Sequence, residues 1–162
     1  MTVTPSGEYS LPLYNLQTLL AASAAWQEWV GAANAEGGRR RIHLVAVDAA
    51  EALRPLAWID QGDDWSRETE AGGARNHFKG SGTLKLWFEA DVPKEYEDSH
   101  RHAMLWFMNK VGAIISEMEQ LAGSGSYLCV HRFLQDDPPV RSREGEEDGD
   151  FIQVTFSIGW SF

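Results

Sequence analysis

The chain is predicted to adopt an α+β fold, a mostly antiparallel sheet covered by one long amphipathic helix and joined by an N-terminal helix. Three observations carry this reading. Between Ser99 and Ala122 apolar residues return every three or four positions, the spacing of one helix face. Between Phe151 and Trp160 they return every second position, the spacing of a strand with one buried face. Strand-like runs also come in groups, with helical runs between groups rather than between every pair, which is α+β order. The expected sequence of elements is α-β-β-β-α-β-β.

The first helix is expected from Leu13 to Val30, where Leu13, Leu16, Leu19, Leu20, Ala24 and Val30 fall near one side. Ser10 or Asn15 is a candidate cap and Gly31 a natural stop. Asn34 to Arg41 reads as a flexible, partly basic connection, because Gly37-Gly38 precedes three arginines. Ile42 to Val47 and Leu56 to Asp60 are strand candidates, the second beginning just after Pro55, with one helical turn expected over Asp48 to Arg54. Gln61 to Gly82 is polar and glycine-rich, and stretches of this length are either functional loops or extended hairpins.

A strand follows in which Leu84, Leu86 and Phe88 point one way and Thr83, Lys85, Trp87 and Glu89 the other. In the long helix Met104, Met108, Val111, Ile115, Met118 and Ala122 form the stripe, broadened by Phe107, Ile114 and Leu121. Its length would be about 36 Å, enough to cross a sheet. Glu95, Glu97 and Asp98 stand at its favourable, N-terminal end. Tyr127 to Leu134 and Phe151 to Trp160 close the chain as strands. The acidic loop Gln135 to Asp150 between them is expected to be solvated. The whole, residues 1–162, is read as a single domain with flexible loops near 61–82 and 135–150.

Composition narrows the function. The 162 residues include seven Trp, seven Phe and four Tyr, enough for a sizeable core. A net charge of −10 argues against a dedicated nucleic-acid binder, which needs a basic surface, though not against a protein that lets DNA pass. The single cysteine, Cys129, forms no intrachain disulfide and fits a reducing compartment. No signal peptide and no membrane span are expected.

Candidate chemistry is sparse. Gly80-Ser81-Gly82-Thr83 and Gly123-Ser124-Gly125-Ser126 lack the Gly-Lys-Ser/Thr ending of a phosphate loop and read as turns. His100 and His102 lie on different helix faces; Asp98 and His102 share one, but two ligands do not make a metal site. Cys129 and His131 stand two apart on one strand with no orienting third group, and Cys129 reads as a small buried hydrophobe. No catalytic residue, metal ligand or cofactor is therefore assigned. The aromatics on polar surroundings are more informative. Trp87 sits on the wet face of its strand, where it is either covered by the first helix or exposed for contact. Trp65 and Phe78 are lone aromatics in the polar stretch, with Arg67 and Arg75 beside them. Aromatic residues and Arg are enriched at interface centres, so Trp65, Arg67, Arg75, Phe78 and Trp87 are the candidate protein interface.

The run Leu16-Gln17-Thr18-Leu19-Leu20-Ala21-Ala22-Ser23 with Trp26-Gln27-Glu28-Trp29-Val30-Gly31 resembles the opening helix of small tail proteins of tailed bacteriophages. Ile42-His43-Leu44, Arg54-Pro55-Leu56-Ala57-Trp58-Ile59 and the final Phe156-Ser157-Ile158-Gly159-Trp160 resemble their strands. The element order is similar to that of the tail terminator, or tail-completion, family, and related neck proteins share the pattern. The resemblance implies a virion structural protein and no catalysis. It implies a homo-oligomeric ring, commonly a hexamer, that caps the tail tube, stops its polymerisation and receives the head-tail connector proteins. Such a protein would assemble in the host cytoplasm and end in the virion neck, with DNA passing through the ring and not specifically bound. Two rivals come from other classes: a small acidic inhibitor or immunity-like module covering a basic partner, and a hydrolase using His and carboxylates, which needs a pocket of perturbed titrating groups.

Overall fold

The computed structural model describes residues 10–44, 53–62, 64–69, 78–124, 130–142 and 149–161, of which 67–69 and 78–79 are described by their backbone alone. The fold is α+β. Helices α1 (Leu11–Ala22), α2 (Ala24–Trp29) and α3 (Ala35–Arg39) come first, then strands β1 (Ile42–His43), β2 (Leu56–Gln61), β3 (Ser66–Thr69) and β4 (Phe78–Asp91). After a 3₁₀ turn at Lys94–Tyr96 come α4 (His100–Gly123), β5 (Val130–Gln135), β6 (Val140–Ser142) and β7 (Phe151–Ser161). The seven described strands form one sheet in the order β1-β2-β4-β7-β5, with β3 paired to β4 and β6 to β7. Only the β1–β2 pair is parallel.

Alternation explains the centre of the sheet. β4 and β7 pair antiparallel from Ser81 opposite Ser161 to Asp91 opposite Phe151. Leu84, Leu86, Phe88 and Ala90 of β4 and Ile152, Val154, Phe156, Ile158 and Trp160 of β7 are buried on the same face. The helices close that face: Leu16, Leu19, Leu20, Trp26, Phe107, Val111, Ile114 and Met118 are buried against it in one cluster. The opposite face is polar and half-exposed, with Lys85, Trp87, Thr155 and Ser157 along it.

The N-terminal helix differs from the single segment expected over Leu13 to Val30. It begins at Leu11 and breaks at Ser23, whose backbone is extended at φ −65° and ψ 123°. Ser23 is completely buried, and its hydroxyl accepts from Trp26 N at 3.1 Å while donating to Glu117 Oε2 of α4 at 2.6 Å. The same carboxylate accepts from Ala25 N at 3.0 Å. Glu117 thus closes the orphan donors at the start of α2, and the break swings Trp26 into the core. Ser10 occupies the N-cap of α1 without a side-chain bond, and Gly31 ends the pair of helices at φ +68°, as expected.

Hydrogen bonding from Ser23, then from Ala25 N, holds the Glu117 carboxyl below its ordinary range. A folded pKa below the unfolded one gives a contribution present above about pH 4.3 and lost as pH falls through the folded value. Glu117→Ala should cost roughly 1–2 kcal/mol at neutral pH by chemical unfolding. The gap to wild type should shrink towards pH 3; a gap independent of pH would remove the ionised cap from the account.

Three other expectations are corrected, and of the two alternatives for Gln61 to Gly82 the extended hairpin is the one found. The supposed connection Asn34 to Arg41 holds α3, capped by Asn34 Oδ1 on Gly37 N at 3.0 Å, and Gly38 O accepts from Trp26 Nε1 at 3.0 Å. The polar stretch Gln61 to Gly82 is largely a hairpin: β3 pairs with the first residues of β4, so that β4 is 14 residues long. Gly80-Ser81-Gly82-Thr83 is strand, not turn; a Cβ on Gly82 would stand 3.0 Å from Trp65 and 3.1 Å from Trp160, so the missing side chain makes room for two indoles. The loop Gln135 to Asp150 contains β6, opposite Phe151 to Gln153.

α4 lies where the periodicity placed it, one residue later at each end, with Ser99 at its N-cap. Its central line is Ala103, Phe107, Val111, Ile114 and Met118, while Met104, Met108 and Ile115 flank it half-buried. Two adjacent apolar rows exist in the sequence, and the way the helix sits on the sheet selects between them. Glu95 stands in the 3₁₀ turn, and the first turn of α4 itself carries no acid. β1 is described only at Ile42–His43 of the expected Ile42 to Val47, and β5 only over Val130–Gln135, the expected start at Tyr127 lying outside the described residues. Residues 45–52, 70–77, 125–129 and 143–148 lie outside the described residues, and with them most of the turn expected at Asp48 to Arg54.

Candidate protein interface

Helices on one side and polar alternation on the other leave the second sheet face as the candidate contact surface. Trp87, in the middle of β4, faces Trp58 of β2 and Thr155 of β7 in register. All four helices belong to the other side of the sheet, so of the two expectations for Trp87, burial under the first helix is excluded. The His43 ring stands 5.3 Å from that of Trp58. Burial, then the neighbouring Arg41 charge, lowers the His43 pKa below its ordinary value and keeps the ring neutral at pH 7. The surface centre is therefore aromatic and uncharged.

A polar network borders it. Lys85 Nζ donates to Asp136 Oδ2 and to Ser157 Oγ, both at 2.8 Å, and Ser157 Oγ donates to the other Asp136 oxygen. Desolvation pushes the Asp136 carboxyl up, but the bonds from Lys85 and Ser157 prevail and hold it below the ordinary range. Farther along, Thr83 donates to Asp64 through its amide at 2.9 Å and its hydroxyl at 2.7 Å. These pairs tie side chains of β4 and β7 to the segments just after β5 and just before β3.

The five sequence candidates separate. Trp87 lies half-buried on the sheet face away from the helices. Trp65 packs edge-on against Trp160 at 4.7 Å, above Gly82 and against the core. Arg67 lies opposite Gly80 and Phe78 opposite Thr69 in the β3–β4 ladder, and Arg75 lies outside the described residues. Trp87 is thus not part of one cluster with the hairpin residues. Trp58 was missed. Alternation along Leu56 to Asp60 marks it as half-buried, but only the β2–β4 register brings it beside Trp87.

Among the described residues no three of His, Cys, Asp and Glu gather as metal ligands. His102 Nδ1 lies 2.7 Å from Ser99 Oγ, and His131 Nε2 lies 2.9 Å from Ser161 Oγ. Cys129 is outside the described residues. No described helix is long and apolar enough to cross a membrane. A scan of the chain against protein-family models and a search of curated proteins each return no match.

Proposed function

We propose that this chain is a phage structural protein that forms a ring at the head-proximal end of the tail tube, ends tube polymerisation and provides the head-attachment surface. Its partners in this reading are further copies of itself, commonly six, the tail tube protein and the head-tail connector proteins. It would assemble in the host cytoplasm and remain in the virion neck. The observation that carries the reading is the sheet face away from the helices, where Trp58 and Trp87 stand half-buried side by side in register: aromatic residues paired on a face that the helices do not cover fit a docking surface. The likeness of the opening helix and closing strand to small phage tail proteins supplies the biological setting.

The test is assembly. Purified protein should sediment as a ring of several copies, and added to polymerising tail tube protein it should sit at tube ends and shorten the tubes. A monomer that leaves tube length unchanged overturns the reading.

A further inference from the structure

One end of the helix-free sheet face carries chemistry that its aromatic centre lacks. In β5 the register steps from Val130 opposite Trp160 to Arg132 opposite Gly159, so His131 is the extra residue of a β-bulge. A regular strand would send His131 and Arg132 to opposite faces. The bulge instead brings both beside Gly159, where a Cβ would stand 2.9 Å from Arg132 Cβ and 3.6 Å from His131 Cε1. On the far side of β7, Thr83 lies opposite Gly159 and Ser81 opposite Ser161. The result is a cleft of about 480 Å³ with His131 and Arg132 along one wall and Asp64, Ser81 and Thr83 along the other. Ser81 is six positions from Trp87 along β4, about 20 Å.

Donors dominate these walls. The Arg132 guanidinium is exposed and makes no hydrogen bond or ion pair among the described residues, so its charge and its N–H groups are available. Ser161 Oγ lies 2.9 Å from His131 Nε2. Whichever of the two donates within that pair, one further donor remains on it. Ser81 Oγ lies 3.0 Å from Ser66 Oγ, and the Ser157 hydroxyl is already given to Asp136.

One carboxylate stands among the donors. Asp64 accepts the Thr83 amide on Oδ1 and the Thr83 hydroxyl on Oδ2, one bond per oxygen. The hydroxyl bond, ahead of the desolvation that opposes it, holds the Asp64 carboxyl below its ordinary range. An exposed, ionised carboxylate accepts hydrogen bonds and offers none. An oxyanion entering the cleft must therefore bring a proton to Asp64 or meet a like charge there. Inorganic phosphate keeps at least one proton at neutral pH; sulfate and phosphodiesters keep none.

The geometry points to a binding site for inorganic phosphate in this cleft, with Arg132 and the His131–Ser161 pair donating to the oxyanion and Asp64 accepting its remaining O–H. Arg132 supplies the charge-assisted fork that suits an oxyanion. Asp64 supplies the selection, admitting a protonated oxyanion and repelling a fully ionised one. The same repulsion turns away the nucleic-acid backbone, in keeping with a net charge of −10. The site lies apart from the Trp58–Trp87 surface and is independent of the docking reading.

Isothermal titration calorimetry of the full chain tests this, at neutral pH and fixed ionic strength, with sodium phosphate, sodium sulfate and dimethyl phosphate as titrants. Phosphate should bind at one site, about 10-fold or more tighter than either of the others. Arg132→Gln should weaken phosphate about 10-fold or more with an unchanged melting temperature. Asp64→Asn should take up sulfate, because the amide donates where the carboxylate repels; that gain also shows the variant is folded. A wild-type chain that binds none of the three, or binds phosphate and sulfate equally, overturns the inference. So does an Arg132→Gln variant that binds as wild type, or an Asp64→Asn variant that still refuses sulfate. The proposed function would stand in each of these cases, since tube capping is assigned to a different surface.

Discussion

Replacing Trp26 by Ala is expected to remove roughly 3–5 kcal/mol of folding stability, a large share of what a domain of this size has. Trp26 is fully buried, and its ring joins three layers of the molecule. It meets Phe88 of the sheet at 5.9 Å and Trp29 at 6.3 Å. Trp29 in turn meets Phe107 and Trp106 of α4 at 5.8 and 6.2 Å. Its indole N–H also donates to Gly38 O, tying α2 to α3. Truncation loses transfer free energy, opens a cavity and removes the indole bond to Gly38 O, which keeps only the bond from Arg41 N. Trp26→Phe keeps most of the ring contact and loses the hydrogen bond, so it should cost about 1–2 kcal/mol more than its volume change alone. Urea unfolding with an unchanged slope is the measurement, and a loss below about 1 kcal/mol for Trp26→Ala would contradict a core organised around this residue.

The second large effect is expected at Asp150. The Arg141 side chain is only 2% exposed and is held by Asp150 in two bonds, Nε to Oδ1 at 2.8 Å and Nη2 to Oδ2 at 2.6 Å, while Nη2 also donates to Glu97 O. The hydrogen bonds that Arg141 donates to Asp150 raise the Arg141 pKa, so neutralisation offers no escape. Asp150→Ala leaves a buried cation without its counter-charge, and about 3 kcal/mol should be lost, the lower end of the range because Asp150 itself is 24% exposed. Pairing Asp150→Ala with Arg141→Met should recover much of that loss, because two neutral side chains carry no desolvation penalty. If the double variant is as unstable as the sum of the singles, the cost lies in packing and not in charge. The pair matters for architecture: it fastens β6 and the start of β7 to the segment that leads into α4.

What could be read in advance depended on how far apart the deciding residues lie. The end points of α4 were legible to within one residue, because an apolar stripe with acids before it and glycines after it is a local pattern. β7 was legible for the same reason: its alternation from Ile152 to Trp160 needs no partner to be recognised. Trp87 could be assigned to the wet face by counting from Leu86 and Phe88. The break at Ser23 could not be found this way. Ala21-Ala22-Ser23-Ala24-Ala25 is compatible with unbroken helix, and the group that stabilises the break is Glu117, 94 positions away. β3 and β6 were hidden too, since short polar strands become strands only when a longer neighbour supplies the ladder. Trp65 was placed on the contact surface because its surroundings in the chain are polar; the space above Gly82, created by the approach of Trp160, takes it to the other side.

The amino-acid order alone therefore determined the class of the fold, its long helix, its central strands and which side of each is greasy, since these follow from periods of 3.6 and 2 in neighbouring residues. Tertiary structure alone decided the strand order, the partner of each aromatic and the helix-free sheet face shared by Trp58 and Trp87. Pairing and register are contests between distant segments, settled by how much surface each arrangement removes from water, and no local pattern contains the result.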